Sequence, residues 1–403
     1  MGKLVFIESS YTGAGVDCAR IGQAIGHEVV LLCRSSEPYR FADELGITTV
    51  ECDTRDFEAA LKAVASLEGV AGVGTTDEYS TVIAGQIARS LNLPHADDRS
   101  LRACRNKLEL RRVLPHRLSP KWRSVADEDA AVIAANDVGY PVVLKPTNLT
   151  GSALVARCST EDELRAAVKQ ALAAQPSVST PSIDGLLVEE FVDGAEFSVE
   201  FFDGEVLGVT RKHLSSKGGF VELGHDFPAD LDEPVISKVV SAALAAVKTV
   251  GMDWGPAHLE LRLNASGAYI MEINARIPGD QIPRVVEYTL GFSFARAYVH
   301  RILGMELPER MEPKDRGAAI RMWHLSVSGI LRNVSGADDV TAAEGVQDVA
   351  VKAGLGDRYE LTHSNLDRVG FVIATGASTA AAALRADEAH SLLELEWEEL
   401  PSR

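Results

Sequence analysis

Residues 258–279 read HLELRLNASGAYIMEINARIPG, and this stretch decides the fold. In HLELRL, Leu259, Leu261 and Leu263 share one face of a strand while His258, Glu260 and Arg262 share the other. After Asn264-Ala265-Ser266-Gly267 the alternation resumes, with Ile270, Glu272 and Asn274 together on one side. A three-residue hairpin loop over Ala265-Ser266-Gly267 puts Gly267 at the left-handed position such a loop requires. Asn264 then pairs with Ala268, and the same register sets Glu260 directly opposite Glu272. Like charges facing across a ladder are destabilising. Nothing at neighbouring same-face positions offsets that cost except a cation, aided by Arg262 or Arg276. Hard oxygen ligands in this number suit Mg2+ that keeps some waters and shares phosphate oxygens. Taken alone, the stretch reads more plainly as a solvated strand face.

The rest of the chain bounds the answer. Its 403 residues suggest roughly two to four domains, and 46% hydrophobic with 24% charged residues is an ordinary globular composition. Acidic residues number 58 against 40 basic, a formal charge of -18, which argues against a nucleic-acid partner but leaves room for local basic pockets. Cys18, Cys33, Cys52, Cys104 and Cys158 are dispersed and show no paired spacing. They read as reduced thiols, not as a disulfide framework or a zinc site. The opening MGKLVFIESS lacks the layout of a signal peptide, and no apolar run approaches the about 20 residues that span a bilayer. A cytoplasmic protein without a membrane partner is expected.

Residues 3–95 alternate apolar runs (KLVFIES, HEVVLLCR, ITTVECD, VAGVGTT) with helical patterns, a βαβ series implying a parallel sheet covered on both faces. Gly13 and Gly15 lie at the first strand-to-helix turn, where backbone amides can receive an anion. Their fingerprint is incomplete, and a packing turn is the favoured reading. Residues 97–140 read as helical with breaks at Pro115 and Pro120. LLVEEF, AEFSVEFFD and EVLGVTRKHL read as consecutive strands of one antiparallel sheet, VISKVVSAALAAVKTVG as a long helix, and roughly 285–303 as another. From about Gly317, strand-like AAIRMWHLSV, QDVAVKAG and RVGFVIATG with a helix over TAAAALRADEAHSLL suggest a small α+β domain of its own.

Read together, these pieces resemble the ATP-grasp superfamily of carboxylate–amine ligases. LVEEFVDGAEFSVE, FVELGHDFP, MEINARIPGD and LDRVGFVIATG carry a narrower likeness to the bacilysin-type L-amino-acid ligases. The resemblance implies an ATP-grasp fold, mixing α/β and α+β parts. An N-terminal doubly wound parallel-sheet domain takes 1–96. Two α+β subdomains sandwiching ATP take 97–305, with a lid at about 120–188, and a small C-terminal α+β domain takes 306–403.

By position in the family motifs, Lys107 and Lys145 reach the phosphates. A lysine ending a buried apolar strand, as Lys145 does in YPVVLKP, needs an anionic partner. Thr147, Gly151 and Ser152 belong to the phosphate-covering loop TNLTGS, which is poorer in glycine than the family's usual loop. Glu189 and Glu190 begin the adenine hinge, Val192 offers backbone groups to adenine, and Glu196 accepts the ribose hydroxyls. Glu260, Glu272 and Asn274 match the metal-binding set, and Arg276 the arginine on the transferred phosphoryl group. Ile277-Pro278-Gly279 stand where the family often has two glycines. His213, His225 and Arg284 are leads for the acceptor site.

The implied activity is ATP-dependent joining of a small carboxylate, an amino acid or related acid, to an amine through an acyl phosphate. The implied cofactors are ATP and Mg2+, with Mn2+ as an alternative ion, and the resemblance allows a homodimer. The rival readings are another ATP-grasp chemistry (a purine-type carboxylase or formyltransferase, or an intramolecular cyclo-ligase), a non-catalytic ATP-binding module, and, weakest, a NAD-binding oxidoreductase.

Overall fold

A computed structural model describes residues 2–11, 13–177, 180–215, 220–362 and 364–400. The first strands form a parallel sheet in the order Thr48–Glu51, Glu28–Cys33, Lys3–Ile7, Val70–Gly74. Alternation in these short runs gives each face its own core. Leu4, Phe6, Val29 and Leu31 pack on one side, and Val5, Ile7, Val30 and Leu32 pack with Ala60, Val64 and Ile87 on the other. Both faces are covered, as an all-parallel sheet requires. The chain runs outward from Lys3–Ile7 to one edge and then returns to place Val70–Gly74 on its other side. The crossover direction therefore reverses between those two strands, which is where open α/β sheets bind ligands, beyond the strand carboxyl ends.

The centre of the molecule is an eight-stranded antiparallel sheet in the order Ala268–Asn274, Pro256–Leu263, Ala195–Phe202, Glu205–Leu214, Glu222–Phe227, Gly317–His324, Arg368–Gly376, Val346–Val351. Phe197, Val199, Phe201, Leu259, Leu261 and Ile273 face the long helix Glu233–Val250. Of the C-terminal strands, Gly317–His324, Arg368–Gly376 and Val346–Val351 extend this sheet, whereas Arg358–Tyr359, Gly329–Ser335 and Glu394–Glu399 form a three-stranded sheet of their own. Gly317–His324 pairs with Glu222–Phe227 and carries the sheet onward, which covers an edge that would otherwise expose unpaired backbone.

A second antiparallel sheet, in the order Trp122–Val125, Leu186–Glu190, Val142–Pro146, Ala156–Cys158, packs against helices Glu128–Val138 and Glu161–Ala173. Here LLVEE parts from the sequence reading, because it belongs to this sheet and not to that of Ala195–Phe202. Phe191, Val192, Asp193 and Gly194 separate the two, and Gly194 at φ 122 turns the chain from one sheet into the other. Residues 285–303 also differ. Two helices, Ile282–Leu290 and Phe294–Ile302, break at Gly291, where φ is 62 and an added Cβ would lie 1.7 Å from the Met311 carbonyl oxygen. Among the described residues no helix is long and apolar enough to cross a membrane, and the five cysteines are free.

Candidate active site

The polar face of the central sheet carries the first half of the site. Glu260 stands opposite Glu272 and His258 opposite Asn274. The route to that register is not the expected one. Leu263, not Asn264, pairs with Ala268, Gly267 does not take a positive φ, and the Asn264 carboxamide instead accepts the amides of Ser266 and Gly267. A bulge between Glu260 and Leu261 restores the carboxylate pairing. It also sends Ile270 into the apolar core, away from Glu272 and Asn274.

Protein cations already meet both carboxylates. Lys107 Nζ lies 2.6 Å from Glu272 Oε1 and donates to the Leu149 carbonyl at 2.6 Å. Lys212 Nζ lies 3.2 Å from Glu260 and Glu196 and 3.1 Å from Glu222. Burial would raise the Glu260 carboxyl, but Lys212 and His258 outweigh it and hold it well below the usual carboxylate range. His258 itself is pushed up to about 10, because Glu200 at 2.8 Å overcomes its burial. Asn274 Oδ1 is buried without a hydrogen-bond partner among the described residues. An orphaned amide oxygen beside two facing carboxylates is a donor set that fits a hard divalent cation.

The opposite wall comes from the second sheet. Lys145 Nζ pairs with Glu189 at 2.7 Å, and Arg111 grips the same carboxylate at 2.7 and 3.1 Å. Burial lowers Lys145 to about 8 despite Glu189; Glu189 falls to about 2, as Arg111 and Lys145 override its own burial. Lys107, Lys145, Glu189, Val192, Glu260 and Glu272 converge on one cavity of about 90 Å³, with Ser152, Glu190 and Glu196 in its wall. The Val192 carbonyl accepts from Arg262, which also pairs with Glu196 at 2.8 Å. Thr147 donates to Asp184, and its carbonyl accepts the Lys107 amide at 2.8 Å. Gly151 (φ 64) and Ser152 (φ 59) turn the loop back toward its sheet.

A second cavity of about 360 Å³ opens beyond Arg276, between the parallel sheet and the C-terminal strands. Ser10 and Gly13, after the first strand, and Thr76, Asp77 and Glu78, after the fourth, line it at the topological reversal. Arg276 donates to Glu78 Oε2 through Nε at 2.9 Å and Nη2 at 2.7 Å. Burial would raise Glu78, but Arg276 and Arg105 hold it below its ordinary value. Arg284 lies at this cavity, 3.6 Å from Asp17. His225 is fully buried behind it, 3.3 Å from Glu222 and 3.8 Å from Asp280, with Arg368 donating to Asp280. His213 departs from expectation: it pairs with Asp226 at 2.6 Å and borders a separate hollow beside Trp323 and His390. Gly15 serves packing, since a Cβ there would lie 2.2 Å from the Ser10 carbonyl oxygen.

Sequence reasoning missed Lys212, Glu78 and Asp77. For Lys212 a signal existed in the alternation Thr210, Lys212, which puts the lysine on the polar face while its neighbour His213 points away. For Glu78 the only signal was its place after the fourth strand of a βαβ series.

Residues 138–284 match the ATP-grasp domain family, and residues 321–398 match the L-amino acid ligase C-terminal domain 2 family. The protein y4rH of Sinorhizobium fredii is 27% identical over 387 residues, covering 94% of this chain and 80% of its own length. Dapdiamide A synthase of Enterobacter agglomerans is 24% identical over 252 residues, 60% of this chain and 58% of that enzyme. The crystal structure of an L-amino acid ligase from Bacillus licheniformis superposes with a TM-score of 0.81 over 99% of each chain, at 23% identity, a likeness of fold. The chain thus carries an ATP-grasp domain at 138–284 followed by an L-amino acid ligase C-terminal domain at 321–398, and is an ATP-dependent carbon–nitrogen ligase.

Proposed function

We propose that the chain joins a small carboxylic acid, an amino acid or a close relative, to the amine of an amino acid through an acyl phosphate, releasing ADP and phosphate. One observation carries this reading. The loop of residues 149–152 walls both cavities, with Leu149 and Ser152 in the smaller and Thr150 in the larger. A phosphoryl group held at the first is thus delivered at the mouth of the second, where Arg276 stands.

In this reading Lys107 and Lys145 hold phosphate oxygens, Glu189, Glu190 and Val192 border the adenine, and Glu196 lies at the ribose. Thr147, Gly151 and Ser152 shape the loop that covers the phosphates and keeps water from the acyl phosphate. Glu260, Glu272 and Asn274 would hold Mg2+ or Mn2+, which when bound neutralises phosphate charge. Arg276 neutralises the oxyanion that develops as the amine adds, and its planar fork suits a phosphoryl group. The residues position and neutralise; covalent chemistry stays with the substrates. The reading goes with a division of the chain at about residues 96 and 305, and with small-molecule partners on both sides of the bond. ADP release from Mg2+-ATP across a panel of single and paired amino acids, with mass spectrometry of the products, tests it. ADP release that requires two amino acids supports the reading, and release that ignores them rejects it.

A further inference from the structure

The larger cavity holds a carboxylate whose bonds are half made. Glu78 is 7% exposed, and its Oε2 takes both hydrogen bonds from Arg276. Its Oε1 is buried and has no hydrogen-bond partner among the described residues. A buried, ionised carboxylate oxygen without a donor is costly, and such groups in folded proteins nearly always have a partner. The missing partner must be a donor, and a positively charged one matches best, because hydrogen bonds between charged groups are the strong ones.

Position narrows the choice. Both oxygens of one carboxylate lie within a bond angle of each other, so whatever Oε1 holds sits beside the Arg276 guanidinium. Asp77 lines the same cavity, where burial raises its carboxyl, and its Oδ2 accepts only from Ser80 at 2.8 Å among the described hydrogen bonds. The corner therefore offers two carboxylates, on the first of which Arg105 and Lys107 also act, next to the arginine expected to face the acyl phosphate.

We infer that Glu78 is the docking group for the ammonium of the amine substrate, and that it holds the nitrogen against the acyl carbon. This rests on the ligase reading above and adds to it the group that receives the nucleophile. The nitrogen loses one proton toward the Glu78 corner and on to solvent. Its lone pair then forms the C–N bond as the acyl C–O bond breaks, and the second nitrogen proton leaves with phosphate as HPO4 2-. The carboxylate is a positioning residue for an amine that arrives charged, and it has no such task for an amine that arrives neutral.

That difference supplies the test. Hydroxylamine is largely neutral at pH 7 to 8 and traps acyl phosphates as hydroxamates, whereas an amino acid arrives as an ammonium ion. Wild-type protein and Glu78→Gln are compared with Mg2+-ATP and the carboxylate substrate, once with hydroxylamine and once with the amino-acid amine. The expected result is that hydroxamate formation persists in the variant while KM for the amino-acid amine rises about 10- to 100-fold. Glu78→Asp should recover part of the loss. Equal loss of hydroxamate and amide in Glu78→Gln would overturn the inference, since Glu78 would then serve only to anchor Arg276. An unchanged KM for the amine would overturn it as well. Failure of the wild type to form any hydroxamate would instead reject the acyl-phosphate reading itself.

Discussion

The two cavities differ in how completely the protein pairs their charges. In the smaller one nearly every charge is answered inside the protein: Glu272 meets Lys107, Glu189 meets Lys145 and, from behind the wall, Arg111, and Glu196, Glu222 and Glu260 share the buried Lys212. In the larger one Arg276 is answered by Glu78 and Arg368 by Asp280, but Glu78 Oε1 has no donor among the described residues and Arg284 keeps only loose partners at 3.6 and 3.7 Å. The first plan suits a ligand that resembles its own replacement, since phosphates and a cation can take over pairs the protein already makes. The second suits varied small molecules, whose own charges complete the set. Preorganised pairs cost little reorganisation when charge shifts during reaction.

The sharpest way to break this comparison is to remove one carboxylate of the facing pair. Glu272→Gln keeps the shape and deletes the charge, so the fold should persist by circular dichroism while ATP turnover falls about a thousandfold. Turnover within a few fold of wild type would mean that Glu272 serves only Lys107. Arg111→Met is next. Its side chain is fully buried between Glu189 and the Met271 carbonyl, so the substitution should cost about 3 kcal/mol of stability by chemical denaturation. A loss under about 1 kcal/mol would show that Lys145 alone suffices for Glu189.

Lys145→Met should weaken ATP binding about 10- to 100-fold by calorimetry while Arg111 still holds Glu189. The same lysine gives a pH signature. Burial lowers it to about 8, whereas the unfolded chain keeps the proton to roughly 10.4. Between those values the unfolded state binds more protons, so this group's contribution makes the fold more stable as pH rises. ATP affinity should move the other way and weaken above pH 8, and a flat profile from pH 7 to 10 would contradict the assignment. The smallest effect is expected at Arg284, which is partly exposed. Arg284→Ala should raise KM for one amino-acid substrate by about tenfold or less, leaving ATP affinity unchanged.

What was legible in the sequence follows from what alternation alone can place. The strands around Glu260 and Glu272 announce their faces in a few residues, and the carboxylate pair was found although the loop was misread. The bulge that rescues the register has no local mark, because Met271 is an ordinary strand residue until Ile270 must enter the core. LLVEE and AEFSVEFF look like neighbours in one sheet because only a long-range choice of partners separates them. Glu78 was missed for the same reason, since it meets Arg276 far along the chain, whereas Lys212 meets Glu196 and Glu222 on the strands next to its own and only Glu260 lies further on. His213 drew attention by its residue type, while the adjacent lysine, on the other face, carries the contacts to the carboxylates.

The most direct test of the central claim is product analysis: ADP release and product mass measured together with Mg2+-ATP and paired amino acids. The account expects one ADP per product, and a product mass equal to the sum of the two amino acids minus water. ADP release with no such product for any pair, or release indifferent to the carboxylate supplied, would contradict it.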